Sequence, residues 1–181
     1  MANWFRGIDN VRAPGGGRIG LVRCPGTRPP TIDAAGHETS LERDLAELVD
    51  WGAVALVTLV EAREMELLGV PNLGPGVREH GLEWFHLPTP DGLAPAASFE
   101  PGWQAVAPRL HAMLDADQRL IVHCRAGLGR SGCIAARLLI ERGQEPDDAI
   151  RAVRRARHFA IETDEQSSWV QALPQGRPRS E

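Results

Sequence analysis

The chain has 181 residues, of which 43% are hydrophobic and 24% are charged, so it is long enough to form one domain with a buried core. Its formal net charge of −4 argues against a nucleic-acid-binding protein, which would carry a basic surface. Cys24, Cys124 and Cys133 are too few for a secreted disulfide framework. The chain has neither a signal-peptide core nor an apolar run long enough to span a membrane. We therefore expect a cytoplasmic protein without nucleic-acid or membrane partners.

Three segments are expected along the chain. Residues 1–18 form a flexible arm that ends just after three consecutive glycines, residues 19–173 form a single domain, and residues 174–181 form a short tail. No internal repeat or low-complexity linker divides the domain.

Apolar runs that predict strands alternate with amphipathic segments that predict helices. The predicted strands are residues 19–23, 53–60, 82–87 and 119–124. The predicted helices are residues 40–50, 61–68, 75–81, 98–116, 131–142, 146–157 and 163–172. Thr39 or Ser40 caps the first of these helices, and Pro108 kinks or splits the helix at 98–116. This alternation is typical of a three-layer α/β fold, in which a mostly parallel sheet has helices on both faces. Ligands of such sheets bind at the carboxyl ends of strands, and Cys124 lies at one of these ends.

The segment HCRAGLGRS, residues 123–131, joins the last predicted strand to a helix. Its two glycines permit backbone angles that other residues resist, so successive amides can turn toward one anion. The positive end of the following helix also favours an anion, and an arginine offers a planar pair of donors to two phosphate oxygens. The predicted phosphate-binding residues are Arg125, Ala126, Gly127, Leu128, Gly129 and Arg130.

The thiol of Cys124 lies at the floor of the same loop. Groups that hold a phosphate also stabilise a thiolate, since helix N-termini and cationic neighbours lower the pKa of a cysteine thiol by several units from about 8.5. We expect Ser131 to donate a hydrogen bond to the sulfur and His123 to tune its acidity. A thiolate placed here attacks phosphorus and forms a phosphocysteine intermediate.

Four segments resemble those of a known family and follow its order: VPNL (70–73), PTPDG (88–92), HCRAGLGRS (123–131) and AIETDEQ (160–166). The spacing of cysteine, arginine and serine is similar to the signature of cysteine-dependent protein tyrosine phosphatases. The order of the segments resembles that of the kinase-associated phosphatase family, in the dual-specificity branch, over about residues 19–172. This resemblance implies a dual-specificity-phosphatase fold. It also implies hydrolysis of phosphotyrosine, with phosphoserine and phosphothreonine as further substrates, and no metal or organic cofactor.

The resemblance assigns two further catalytic residues. Taken alone, Asp91 in its Pro-Asp-Gly context is more typical of a turn. Because the family places an acid loop before the cysteine motif, the resemblance implies that Asp91 protonates the leaving oxygen. A glutamine after the last segment positions the water that hydrolyses phosphocysteine in the wider family, and Gln166 occupies that place. The alternative for Gln166 is a polar helix residue without a special task.

Other functions stay open at this stage. A rhodanese carries a similar cysteine loop for sulfur transfer, but its loop is one residue shorter than the seven residues from Cys124 to Arg130. The substrate is a phosphorylated protein or, alternatively, a small phosphomonoester such as a phosphoinositide, for which Arg125 is thin support. Arg125 is equally read as a solvated rim residue. A further alternative is a catalytically silent module that binds a phosphorylated partner. The sequence does not predict the oligomeric state.

Overall fold

The computed structural model describes residues 8–27 and 41–176. The strands are β1 (Asp9–Arg12), β2 (Arg18–Arg23), β3 (Ala53–Thr58), β4 (Glu83–His86) and β5 (Arg119–Cys124). The helices are α1 (Leu41–Asp50), α2 (Ala62–Leu67), α3 (Leu73–Glu79), α4 (Glu100–Asp115), α5 (Gly129–Glu141), α6 (Pro146–Ala156) and α7 (Asp164–Gln171), with a 3₁₀ turn at Ala97–Phe99 before α4. The predicted cap of the first helix, at Thr39 or Ser40, lies outside the described residues.

The five strands form one sheet in the order β1-β2-β5-β3-β4. β5 pairs in parallel with both β2 and β3, and β4 pairs in parallel with β3. Only the edge strand β1 runs antiparallel to its neighbour. The predicted α/β fold with a mostly parallel sheet is confirmed, and its central strand ends at Cys124.

Helices cover both faces of this sheet and bury two hydrophobic clusters. Side chains of β5 alternate between the faces, as the two-residue period of a strand requires. Leu120 and Val122 pack in a cluster with residues of α4, α5, α6 and α7. Ile121 packs on the opposite face, in a cluster with residues of α1, α2 and α3. This arrangement gives the three layers that the sequence predicts.

The predicted flexible arm is corrected by the structure. Within residues 1–18, β1 pairs with β2, and Ile8 and Val11 are buried in the two clusters. The three glycines, Gly15, Gly16 and Gly17, all have positive φ angles and connect β1 to β2 in a hairpin. They therefore do not mark the end of a flexible arm, as the sequence predicts. The remaining arm residues, 1–7, and residues 177–181 of the predicted tail lie outside the described residues.

Pro108 does not divide the helix that contains it. α4 continues from Glu100 to Asp115, although a proline removes one backbone hydrogen bond. Pro108 is exposed, whereas Trp103, Ala107 and Leu110 on the other side of α4 are fully buried. Burial of this apolar face stabilises the helix on both sides of the proline.

Among the described helices, none combines the length and apolar character that a membrane crossing requires.

Candidate active site

Cys124 lies at the carboxyl edge of the sheet, at the end of its central strand. In the register of the sheet it pairs with Arg23 of β2, while the preceding His123 pairs with Thr58 of β3. The Cys124 side chain is buried, and its Sγ lies 3.5 Å from Oγ of Ser131 in the first turn of α5. This places the Ser131 hydroxyl beside the sulfur, and the hydrogen bond from the hydroxyl to the sulfur stays a prediction.

Residues 125–130 are called here the phosphate loop, and Gly127 forms its tightest point. The φ angle of Gly127 is +73°, in the left-handed region that favours glycine. A Cβ atom at this position would lie 2.2 Å from the carbonyl oxygen of Val22, so every other residue would collide with β2. The loop therefore packs directly against the neighbouring strand.

The carbonyl groups of the phosphate loop are engaged by surrounding elements. Backbone N–H of Cys24 donates to the carbonyl of Arg125 at 3.1 Å, and Nη2 of Arg157 donates to the carbonyl of Ala126 at 3.0 Å. Among the described residues, no hydrogen bond uses the amides of residues 125–128 as donors. Those amides are available to an anion, next to the N-terminus of α5.

Arg130 is the charged centre of the site, and its side chain is only 1% exposed. Nη1 donates to Oε2 of Glu64 and to the carbonyl oxygen of Thr89, both at 2.7 Å. Nη2 donates to Oε1 of Glu64 at 2.9 Å and lies 2.8 Å from Oδ1 of Asp91. The buried Nε has no hydrogen-bond partner among the described residues, so one donor remains for a ligand.

No sequence motif predicts a role for Glu64. This residue is on α2, which follows β3 at the same edge of the sheet, and its side chain is 17% exposed. Burial raises the pKa of the Glu64 carboxyl, but hydrogen bonds from Arg130 and Glu61 and the charge of Arg130 bring the pKa below its ordinary value. Glu64 is therefore a carboxylate that holds both ends of the guanidinium. The rule that a buried arginine needs an acidic partner predicts such a residue but not its position.

Asp91 and Gln166 both reach the phosphate loop. Asp91 lies in residues 88–95, called here the acid loop, and its side chain is 52% exposed beside the guanidinium. The buried Nε2 of Gln166 donates to the carbonyl of Leu93 in the acid loop at 3.2 Å. A Cβ atom at Gly129 would lie 2.8 Å from the same Nε2. The structure thus brings together two residues that the sequence placed 75 positions apart.

His123 precedes Cys124 in β5 and is completely buried. Burial lowers the pKa of His123 to about 4, even though its hydrogen bond to the Cys124 backbone opposes this effect. The ring is therefore neutral at pH 7. Nδ1 lies 3.3 Å from the carbonyl oxygen of Cys124, and Nε2 lies 2.8 Å from Oγ1 of Thr58.

The other two cysteines lack the chemistry of a nucleophile. Burial raises the pKa of the Cys24 thiol to about 12, and the negative charge of Glu64 adds to this effect. Burial raises the pKa of the Cys133 thiol to about 12 as well. Both remain protonated thiols at neutral pH.

Arg125, a further predicted phosphate-binding residue, is exposed in the phosphate loop.

Several known proteins match this chain in sequence. Residues 32–144, more than half of the chain, match the model of a family described as the DSP-PTPase phosphatase of polymorphic toxin systems. Cyclin-dependent kinase inhibitor 3 of Mus musculus is 28% identical over 155 residues, which cover 84% of this chain and 69% of that protein. The Sus scrofa protein of the same name is 29% identical over 157 residues, with the same coverage.

Two solved structures resemble the fold. Kinase-associated phosphatase, with its catalytic cysteine substituted by serine, gives a TM-score of 0.74 at 24% identity and covers 90% of this chain and 92% of that one. Tk-PTP in its active form gives a TM-score of 0.66 at 29% identity and covers 88% of this chain and 92% of that one. The resemblance found in the sequence is confirmed. The chain belongs to the DSP-PTPase phosphatase family and is a cysteine-dependent protein tyrosine or dual-specificity phosphatase.

Proposed function

We propose that this phosphatase acts on phosphorylated proteins, removing phosphate from phosphotyrosine and also from phosphoserine or phosphothreonine through a phosphocysteine intermediate. The observation that carries the proposal is the convergence on Arg130. Its guanidinium contacts the acid candidate Asp91 directly, and Arg130 stands at the end of the loop that begins at Cys124, the last residue of β5. This arrangement supports Cys124 as the nucleophile, Arg130 as the anion-binding group and Asp91 as the acid.

In the first step, the Cys124 thiolate attacks phosphorus and forms a P–S bond while the P–O bond to the leaving group breaks. The phosphoryl oxygens accept hydrogen bonds from the amides of the phosphate loop and from the guanidinium of Arg130. On the guanidinium, the donors for these bonds are Nε and the Nη2 that Asp91 contacts in the free protein. Asp91 separates from Arg130, takes up a proton from solvent and donates that proton to the leaving oxygen. The product is a neutral alcohol or phenol.

In the second step, water attacks the phosphocysteine. Asp91 accepts a proton from this water, and the P–S bond breaks to release inorganic phosphate and the thiolate. Ser131 stabilises the departing sulfur by donating a hydrogen bond across the 3.5 Å contact. Gln166 positions the water, a role supported by its buried location between Gly129 and the acid loop.

Dual specificity is supported by the openness of the site. Asp91 is half exposed, and Arg125 and Ala126 are exposed at the mouth of the phosphate loop. These exposed side chains support an entrance shallow enough to admit the short side chains of phosphoserine and phosphothreonine as well as the longer phosphotyrosine. The three buried cysteines are all free, which supports a reducing, cytoplasmic location.

Turnover of para-nitrophenyl phosphate without added metal, blocked by vanadate, tests the reaction. We expect Cys124→Ser to be inactive and Cys133→Ala, the matched control at another buried cysteine, to retain activity. Acid quenching during turnover of a radiolabelled phosphopeptide should trap label on the wild-type enzyme. Activity in a clean Cys124→Ser preparation would disprove the nucleophile, and an inactive wild-type enzyme that still binds phosphopeptides would identify a silent binding module.

The leaving group tests the acid. Asp91→Asn should lower kcat by about 100-fold or more with phosphoserine peptides, whose alkoxide leaves poorly. The loss should be much smaller with para-nitrophenyl phosphate, whose leaving group needs little protonation. Equal losses on the two substrates would remove Asp91 from the acid role.

Substrate class is tested by comparing kcat/KM for phosphotyrosine peptides, phosphothreonine peptides and a short-chain phosphoinositide. A clear preference for the phosphoinositide would favour the small-phosphomonoester alternative. Transfer of sulfur from thiosulfate to cyanide would favour the rhodanese alternative.

A further inference from the structure

Two buried arginines lie on one face of α5. Arg130 and Arg137 are separated along α5 by nearly two full turns, or about 10 Å of helix axis, so they project in the same direction. Their side chains are 1% and 5% exposed. A buried guanidinium needs carboxylate or carbonyl partners, and both arginines find such partners in one segment of the chain.

These partners lie at the two ends of residues 89–100, called here the acid segment, which includes most of the acid loop. At the first end, Nη1 of Arg130 donates to the carbonyl oxygen of Thr89 at 2.7 Å. At the second end, Arg137 binds both carboxylate oxygens of Glu100, with Nη1 2.8 Å from Oε2 and Nη2 2.5 Å from Oε1. The two arginines are called here the α5 clamp.

The second arginine of the α5 clamp is itself held in place. Nε of Arg137 donates at 2.8 Å to Oε1 of Glu141, one turn further along α5, and the Glu141 side chain is 5% exposed. The Arg137 guanidinium lies 4.6 Å from the ring centre of Trp103 and 5.8 Å from that of Trp169, distances at which a cation is attracted to an aromatic ring. Arg137 therefore offers Glu100 a partner with a fixed position.

Between its ends, the acid segment has few other attachments. Within the part of the chain that the structure describes, residues 92–98 form one hydrogen bond to another element, from Nε2 of Gln166 to the carbonyl of Leu93 at 3.2 Å. Asp91 contacts Arg130, but in the proposed mechanism a phosphoryl oxygen replaces this contact. With substrate bound, the position of Asp91 then depends on Gln166 and on the two ends that the α5 clamp holds.

We propose that Glu100 and Arg137 are positioning residues for the acid Asp91, because their ion pair fixes the point at which the acid segment returns to the core. The inference rests on the acid role in the proposed function. A general acid must lie within hydrogen-bond reach of the leaving oxygen, and a displacement of about 1 Å can cost up to about 100-fold in rate. The pair acts through the backbone of the acid segment, so its loss impairs protonation of the leaving group and spares the attack by Cys124.

Glu100→Ala removes the partner of Arg137 at a side chain that is 42% exposed, so we expect this variant to fold. With phosphoserine peptides, kcat should fall about tenfold, because the acid is misplaced and not removed. With para-nitrophenyl phosphate, whose leaving group needs little protonation, kcat should change by less than about twofold. Arg137→Lys, which keeps the charge and loses the paired geometry, should show the same pattern with a smaller loss.

A double variant shows whether Glu100 acts through Asp91. Because Asp91→Asn has no acid left to misplace, adding Glu100→Ala to it should cause no further loss of kcat with phosphoserine peptides. A general structural role of Glu100 would instead add its own loss to that of Asp91→Asn.

Two controls separate positioning from stability. Glu83→Ala breaks another ion pair of α4, between Glu83 and Arg109, which does not involve the acid segment, so kcat should stay unchanged on both substrates. Trp103→Phe removes a hydrogen-bond donor to Glu141 and leaves the ion pair of the acid segment in place. It should lower the free energy of unfolding without changing the ratio of the two kcat values.

The outcomes separate this inference from the proposed function. Unchanged kcat of Glu100→Ala with phosphoserine peptides, equal losses on the two substrates, or a further loss in the double variant would overturn the inference. The selective loss expected of Asp91→Asn would still stand in each of these cases. Equal losses of Asp91→Asn on the two substrates would refute the acid role itself, and the inference with it.

Discussion

The buried His123 should make the stability of this protein depend on pH. The pKa of His123 falls from an ordinary value of 6.5 to about 4 because the ring is buried. In the unfolded chain the ring takes up a proton as the pH drops below 6.5, whereas in the folded protein it stays neutral until about pH 4. The unfolded state therefore binds more protons over this window, and the stability contributed above pH 6.5 is lost as the pH falls toward 4.

The magnitude follows from the same values. Each pH unit between the two pKa values corresponds to about 1.36 kcal/mol. Lowering the pH from 7.5 to 5 crosses about 1.5 units of this window, so His123 alone should remove about 2 kcal/mol from the free energy of unfolding. His123→Gln, which cannot be protonated, should not show this loss.

Urea unfolding of the wild-type protein and His123→Gln, followed at several pH values from 7.5 to 5, measures the effect. Other titrating groups contribute to both proteins and cancel in the difference between their free energies of unfolding. That difference should change by about 2 kcal/mol in favour of the variant as the pH falls. A difference that stays constant over this range would refute the reasoning, because it would mean that His123 titrates alike in the folded and unfolded chains.

Three further predictions concern other contacts. Glu64→Gln should reduce kcat/KM for para-nitrophenyl phosphate about 10- to 100-fold, because the guanidinium of Arg130 loses its charged bidentate partner and its fixed position; unchanged kinetics would exclude this role. Gly127→Ala should lower the free energy of unfolding, measured in urea, more than Gly143→Ala does. Both glycines have positive φ angles, but of the two only Gly127 would bring a Cβ atom into contact with other atoms. Equal losses would show that backbone strain alone sets the cost. Trp103→Phe should lower the free energy of unfolding by about 2 kcal/mol, because a buried carboxylate loses its indole donor, and kcat of the folded variant should not change.

The contiguous part of the candidate site could be predicted well from sequence. Cys124 and Arg130 are joined by a short loop between a strand and a helix, so their spacing restricts their geometry before any tertiary contact forms. The structure places Ser131 beside the sulfur and gives Gly127 a positive φ angle, an angle that the sequence indicates a glycine is there to permit. The glycines at 15–17 were misread because a glycine run is typical of both a flexible linker and a hairpin connection, and only the burial of Ile8 and Val11 decides between them.

What the sequence by itself determined is the alternation of strands and helices and the chemistry of the loop that follows the central strand, since both depend on residues near one another in the chain. Only the tertiary structure decided that Glu64 holds Arg130 and that Thr58 contacts both Trp84 and His123. These partners come from different strands and helices, and no local pattern encodes their approach. They meet because the parallel strands β3, β4 and β5 end at one edge of the sheet, and because a charged or polar group buried at that edge needs partners from the neighbouring elements.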